Sequence, residues 1–307
     1  METSPPSYIP NQPYNNADGF LPPSTILEPA DFNNDNGILR LQCKPFVLHS
    51  STYGNPDLLR IMSSMPLPPV SYTASKYNWD YKKRREAQAI LPFLYLGQST
   101  NARDADYLRN NGITMVIAVR SAQSARARPK GLNPAQFPSC AGLETTTFDV
   151  DSPYDIITRI KPVLKMMTNH LERHSGETTI NQLEDIGGRI LVFCETGNER
   201  SPVLVAAYLM LVYGISWGES LNYIMARRFS VCLPSGMNEM LKTWEGMLQA
   251  ESQIAAVVHN NNAQNSPTRL QINGRTNKRL IDDAYDSDET MTDEHEVGVR
   301  PGIAPFR

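Results

Sequence analysis

A cysteine and an arginine separated by five residues, Cys194 and Arg200 in the run CETGNERS, have the types and spacing needed to hold and attack a phosphoryl group. Backbone N–H groups of such a loop, and of a helix starting at its end, point at the oxygens of a bound dianion. Arg200 would grip two oxygens with its planar fork, Gly197 would let the backbone approach closely, and Cys194 would sit beneath phosphorus as an in-line nucleophile. Ser201 could assist departure of the thiol. Cys194, Glu195, Thr196, Gly197, Asn198, Glu199 and Arg200 together form the candidate phosphate-binding set. A lone buried cysteine is ordinarily an inert thiol. What makes this one a candidate site is its context: a strand before it, Gly197, Arg200 and Ser201 in register, and an apolar helix after it.

The elements that must position this loop follow from periodicity. RILVF (189–193) carries four successive apolar residues between Gly187-Gly188 and the loop, as a buried strand does. PVLVAAYLMLVY is apolar on nearly every face and predicts a central buried helix. Upstream, ILPFLYLG reads as an early strand ending at Gly97, a polar helix runs from Ala102 to Asn110 and stops at Asn111-Gly112, and TMVIAV (114–119) and TTTFDV (145–150) read as strands. Ile156, Ile157, Ile160, Val163, Leu164, Met167 and Leu171 fall at helical spacing after Pro153. Pro162 leaves the start of that helix open, because proline is tolerated only in a first turn. A polar loop spans Glu172 to Gly188. Two more helices follow, one around Trp217 to Arg228 and one carrying Met237, Met240, Leu241, Trp244, Met247 and Leu248, whose Met and Trp stripes are expected in the core. The expected fold class is α/β: a three-layer domain with a central, mostly parallel sheet flanked by helices.

Composition sets the limits. The 307-residue chain gathers Pro, Asn and Ser toward its ends, so one core domain is expected at 77–252, between a disordered Pro/Asn-rich arm (1–76) and a disordered basic-then-acidic tail (253–307). A formal net charge of -3 gives no global reason for binding nucleic acid or an anionic membrane. The four cysteines, Cys43, Cys140, Cys194 and Cys232, are too scattered for a disulfide framework or a zinc site, and neither a cofactor nor a metal is implied. No leader-like start and no membrane-length apolar run is present, so the expectation is a soluble cytoplasmic or nuclear monomer.

ILVFCETGNERSPVLVAAYLM resembles the H-C-x-x-G-x-x-R-S signature of dual-specificity protein phosphatases and the helix that follows it. WDYKKRREAQAILPFLYLG, NNGITMVIAV, FDVDSPYDII and ARRFSV are similar, over about residues 77–250, to the STYX-type pseudophosphatases of that family. The resemblance implies a phosphatase-like fold and partners such as a phosphoprotein, a MAP kinase or an F-box protein. It also implies a general-acid aspartate on a neighbouring loop. Asp151 lies closest to that position, but the segment is about one residue short, so Asp149 is a rival and Asp155 a weaker one; Asp151 could also simply cap the turn at Ser152-Pro153.

The chain departs from the family pattern at three places. Phe193 stands where the family's histidine helps keep the cysteine ionised, and an apolar neighbour should leave the thiol pKa higher. Glu195 and Glu199 add carboxylates to a loop that must hold a dianion; at about 7–8 Å each would cost roughly 1–4 kcal/mol. Unlike STYX-type proteins with glycine at the nucleophile position, this chain keeps Cys194. Two functions therefore compete: a phospho-residue or signalling-protein binding module with a degraded loop, and a slow dual-specificity phosphatase working through a Cys194 phosphocysteine. Action on lipid or RNA phosphates would call for basic residues inside the loop, where this chain has acidic ones. Among weaker signals, Arg84 to Glu86 and Arg126, Arg128 and Lys130 read as solvated surface by default, RTNKR (275–279) as a nuclear-import signal, and Ser287, Thr290 and Thr292 as sites for an acid-directed kinase.

Overall fold

The computed structural model describes residues 38–46, 51–71, 79–150, 152–176 and 179–264. Strand β1 (Ile38–Leu39) pairs antiparallel with β2 (Val70–Ser71), and between them lies helix α1 (Pro56–Ser64). Asn55 caps α1 by accepting from the N–H groups of Asp57 and Leu58, with Pro56 in the first turn, where its missing N–H costs nothing. This region was expected to be a disordered arm, and the structure corrects that. Tyr53, Leu58, Met62, Leu67 and Val70 are buried in the main core. Tyr53 packs edge-on against Trp244 at 6.1 Å and donates its hydroxyl to Glu251 at 2.7 Å. The sparse apolar islands order because they land on an apolar surface already built by the later helices. Residues 1–37 lie outside the described part.

The segment expected as one strand ending at Gly97 is a hairpin: β3 (Gln88–Leu91) turns at Pro92-Phe93 into β4 (Leu94–Gln98). The expected polar helix is two short ones, α2 (Ser99–Ala102) and α3 (Ala105–Asn110), because Asp104 caps the second by accepting from the Tyr107 N–H. Then come β5 (Met115–Ser121), α4 (Ala122–Ala127), β6 (Glu144–Val150), α5 (Pro153–Ser175), β7 (Ile190–Cys194), α6 (Arg200–Tyr213), α7 (Trp217–Arg227) and α8 (Ser235–Gln264). Pro162 sits inside α5 rather than in its first turn. Pro162 cannot make the helical hydrogen bond to the residue four positions back, Thr158, and both residues lie on the exposed face of the helix. The last helix continues past the expected boundary at 252, held where Glu251 pairs with Lys161 and Tyr53. Residues 265–307 lie outside the described part.

The sheet order is β3-β4-β7-β5-β6, with β3 antiparallel at the edge and the remaining neighbours parallel. Residues of β7 alternate between the two layers: Ile190, Val192 and Cys194 join the large core beneath α5, α6 and α8, while Leu191 and Phe193 join a smaller core with Ala102, Leu108 and Phe137. Helix α6, fully buried from Ser201 to Tyr213, needs cover on every side; β7, α7, α8 and the N-terminal segment supply it. At its end, Gly214 has φ +61, and a Cβ there would lie 1.8 Å from the Lys44 carbonyl oxygen, so this close crossing of the N-terminal segment requires glycine.

Candidate active site

Cys194 ends the central strand β7, opposite Gln98 of β4, and residues 195–199 turn from it into α6. Gly197 makes this turn possible in two ways. Its φ of +74 suits glycine, and a Cβ would come within 2.5 Å of the Gly97 carbonyl oxygen and 2.8 Å of the Arg228 guanidinium. Asn198 is fixed on the far side, where its side chain accepts from Ser230 at 3.0 Å and its carbonyl from the Cys232 N–H at 3.0 Å.

Beneath the loop lies a residue that sequence reasoning did not single out. Arg228 is fully buried and donates to the carbonyls of Gly197 at 3.0 Å, Thr196 at 3.2 Å, Glu86 at 2.7 Å and Arg84 at 2.8 Å, and to the Gln88 side chain. One guanidinium thus ties the loop to the segment entering β3. Burial pulls its pKa down to about 10, opposed by the charge of Cys194. Its only trace in the sequence is a second arginine in ARRFSV, of the same type as the adjacent Arg227.

The Cys194 sulfur accepts from the Gly197 N–H at 3.2 Å and from the Ser201 hydroxyl at 3.2 Å. Burial works against the thiolate, but the Ser201 hydroxyl and the backbone N–H groups of Ser201, Glu199 and Arg200 outweigh it, and the thiol pKa lies below its ordinary value. Phe193 points away from the sulfur into the opposite layer, 6.2 Å from the Phe137 ring, so it withdraws a polar partner without placing an apolar one on the thiol. Arg200 is half-buried, and its side chain makes no hydrogen bond or ion pair with the described residues, so its fork is open to a ligand. Glu195 and Thr196 are exposed and Glu199 half-buried; Glu195 lines a neighbouring cleft rather than the cradle.

Asp149 is held in an ion pair. It stands directly opposite Arg120 in the β5–β6 register, and its two oxygens accept from Arg120 Nε and Nη2 at 2.6 Å each. This bidentate pair is half-sealed, with Arg120 only 8% and Asp149 28% exposed in their side chains. Asp151 and the side chain of Asp155 lie outside the described part.

A buried strand ending in a cysteine, a five-residue loop and an arginine-serine start to a buried helix define a cysteine-dependent phosphatase fold. The family model for the dual specificity phosphatase catalytic domain matches residues 94–247, and the chain belongs to the dual specificity phosphatase family. It is 29% identical over 178 residues to the human serine/threonine/tyrosine-interacting protein, covering 57% of this chain and 72% of that one. It is also 31% identical over 157 residues to human dual specificity protein phosphatase 22, covering 51% and 72%. Among solved structures, that of human tyrosine phosphatase-like serine/threonine/tyrosine-interacting protein aligns with a TM-score of 0.42 and 27% identity over 53% of this chain and 97% of that one.

Proposed function

We propose that this domain binds phosphorylated side chains of proteins in the Cys194–Arg200 loop and hydrolyses them slowly through a phosphocysteine. The observation that carries this reading is the pair of hydrogen bonds to Cys194 Sγ from Ser201 Oγ and Gly197 N, which hold the sulfur as an available nucleophile. The thiolate attacks phosphorus and forms a P–S bond as the ester P–O bond breaks; the departing oxygen takes a proton from an acid, which the resemblance assigns to Asp151. Water then attacks phosphorus, giving its proton to the carboxylate left by the acid, and the P–S bond breaks to release inorganic phosphate and the thiolate, whose charge the Ser201 hydroxyl stabilises. Turnover is slow because the half-buried carboxylate of Glu199, beside Arg200 in the loop, opposes a dianion. Single-turnover release of phosphate from a phosphotyrosine peptide tests this. Release lost in Cys194→Ser and Arg200→Ala supports it, and no release from the wild type contradicts it.

A second reading, binding without turnover, is favoured by the Phe193 side chain lying in the opposite layer, which leaves no histidine to support the thiolate. A gain of activity in the Phe193→His/Glu199→Ser double variant over an inactive wild type would support it. On either reading the proposed partner is a phosphoprotein or a protein kinase, as the likeness to serine/threonine/tyrosine-interacting proteins invites; a MAP kinase or an F-box component belongs to the same proposal.

A further inference from the structure

Residues 38–71 lie outside the matched domain, which begins at residue 94, yet they grip both helices on which the phosphate loop depends. Helix α6, which starts in the loop at Arg200, ends against this segment: the Lys44 N–H donates to the Tyr213 carbonyl at 3.0 Å, and Gly214 passes directly under the Lys44 carbonyl. Helix α7 is held near its C-terminus. There the hydroxyl of the buried Tyr223 donates to the Pro68 carbonyl at 3.1 Å and accepts from Arg227 Nη2 at 3.0 Å. The Arg227 guanidinium also lies 5.1 Å from the centre of the Tyr223 ring. Burial raises the Tyr223 pKa, so the hydroxyl keeps its proton and remains a donor.

Arg227 is the last residue of α7 and Arg228 the first beyond it, so the contact that fixes one sets the position of the other. Arg228 leaves the helix with φ -133 and ψ 85 while its own N–H still donates to the Ile224 carbonyl at 2.7 Å. From that turn its guanidinium reaches the Gly197 and Thr196 carbonyls of the loop. It also reaches the Arg84 and Glu86 carbonyls, in the stretch of chain that follows the N-terminal segment. A continuous path therefore runs from the Pro68 carbonyl through the Tyr223 hydroxyl, Arg227 and Arg228 to the loop backbone, and each link is a hydrogen bond or a peptide bond. The same segment holds the far end of the helix whose first turn closes the loop.

We propose that residues 38–71 are a built-in brace for the phosphate loop, and that Tyr223 is the positioning residue that carries their hold through Arg227 and Arg228. In its effect on phosphate affinity the inference rests on the phosphate-binding reading of the Cys194–Arg200 loop. It places a point of control over the loop outside the matched domain. Lifting Pro68 from Tyr223 frees the end of α7, and the Gly197 and Thr196 carbonyls lose their fixed donor. The loop N–H groups then drift from the positions that a phosphate oxygen and the Cys194 sulfur require.

Two readouts on the full chain test the brace: affinity for a phosphotyrosine peptide, measured with Cys194→Ser to prevent turnover, and the pH midpoint of alkylation in the chain that keeps Cys194. Tyr223→Phe retains the ring and removes only the hydroxyl. It should weaken peptide binding about threefold, the worth of one hydrogen bond, and raise the alkylation midpoint. In an Arg228→Met background the same substitution should add nothing to either readout, because the path ends at Arg228. Tyr53→Phe removes the bond from this segment to Glu251 on α8, away from α7 and the loop. It should lower the urea midpoint and leave affinity and alkylation unchanged. Unchanged affinity and alkylation in Tyr223→Phe, effects that add in full to those of Arg228→Met, or an equal loss of affinity in Tyr53→Phe overturns the brace and leaves the loop reading intact. Failure of the Cys194→Ser chain to bind the peptide overturns the loop reading. In that case a Tyr223→Phe shift of the alkylation midpoint still upholds the brace as a hold on the loop, and no shift overturns both.

Discussion

Arg228 Nε donates to the Gly197 carbonyl at 3.0 Å, so the backbone at the apex of the phosphate loop is held from beneath by a guanidinium sealed from solvent. No carboxylate is recorded against Arg228 among the described residues; carbonyl dipoles and the charge of Cys194 are what stabilise it. Loop geometry and nucleophile charge are therefore coupled through one side chain. Arg228→Met should leave several buried carbonyls without a donor and lower stability by about 3 kcal/mol, read as a drop in the urea midpoint. It should also weaken phosphate binding, whereas a merely structural role distant from the loop would lower stability and leave affinity unchanged in the fraction that remains folded.

The Ser201 hydroxyl lies 3.2 Å from Cys194 Sγ. Ser201→Ala should shift the pH midpoint of Cys194 alkylation upward, because one donor to the thiolate is lost while burial still opposes the charge. Decay of the phosphocysteine should slow about tenfold, the worth of roughly one charge-assisted hydrogen bond to the departing sulfur.

Gly197→Ala meets both a left-handed φ and the Gly97 carbonyl 2.5 Å from the new Cβ. Phosphate binding should be lost while the far-ultraviolet spectrum of the domain is kept, since the strain is confined to the loop and its contact with β4.

At the opposite end of the sheet, His170 is fully buried, with Nδ1 2.7 Å from Glu144 and Nε2 2.8 Å from the Thr114 hydroxyl. Burial holds its pKa below the ordinary value despite the pull of Glu144. For Glu144, burial opposes the charge, but the His170 and Arg173 hydrogen bonds prevail and its pKa is lowered. Both depressions have the same sign: the unfolded chain binds more protons, so stability present at neutral pH is lost on acidification. The histidine part is lost as pH falls from about 6.5 toward its folded value, and the Glu144 part below about 4.5. Urea midpoints measured across this range should fall with pH, and the upper part of the fall should disappear in His170→Gln.

Removing residues 1–71 should destabilise the domain rather than merely trim it, and Met62→Ala alone should cost about 2–4 kcal/mol, because Met62 is fully buried in the main core. A truncated domain with an unchanged thermal midpoint would contradict this packing.

What the sequence revealed and what it concealed divide along the range of the interactions. The buried strand before the Cys194, Gly197, Arg200 and Ser201 pattern and the apolar helix after it are local signals, and the structure builds both as expected. The side that Phe193 faces was not read from the sequence, although adjacent residues of a strand face opposite layers, Cys194 in the large core and Phe193 in the smaller one. The N-terminal segment looked too sparse to fold because its apolar islands gain a partner only when α6, apolar on every side, has been placed. Arg228 could not be told from Arg227 without knowing which one faces the loop. The Arg120–Asp149 fork needed the parallel register that sets these residues opposite each other.

One measurement separates catalysis from capture: rapid-quench mass spectrometry of the wild-type chain mixed with a phosphotyrosine peptide. A phosphoryl adduct on Cys194 that forms, then decays slowly as free phosphate appears, is the expected result. Saturable, Arg200-dependent peptide binding without any adduct would contradict it and leave the loop a phosphate-recognition site alone.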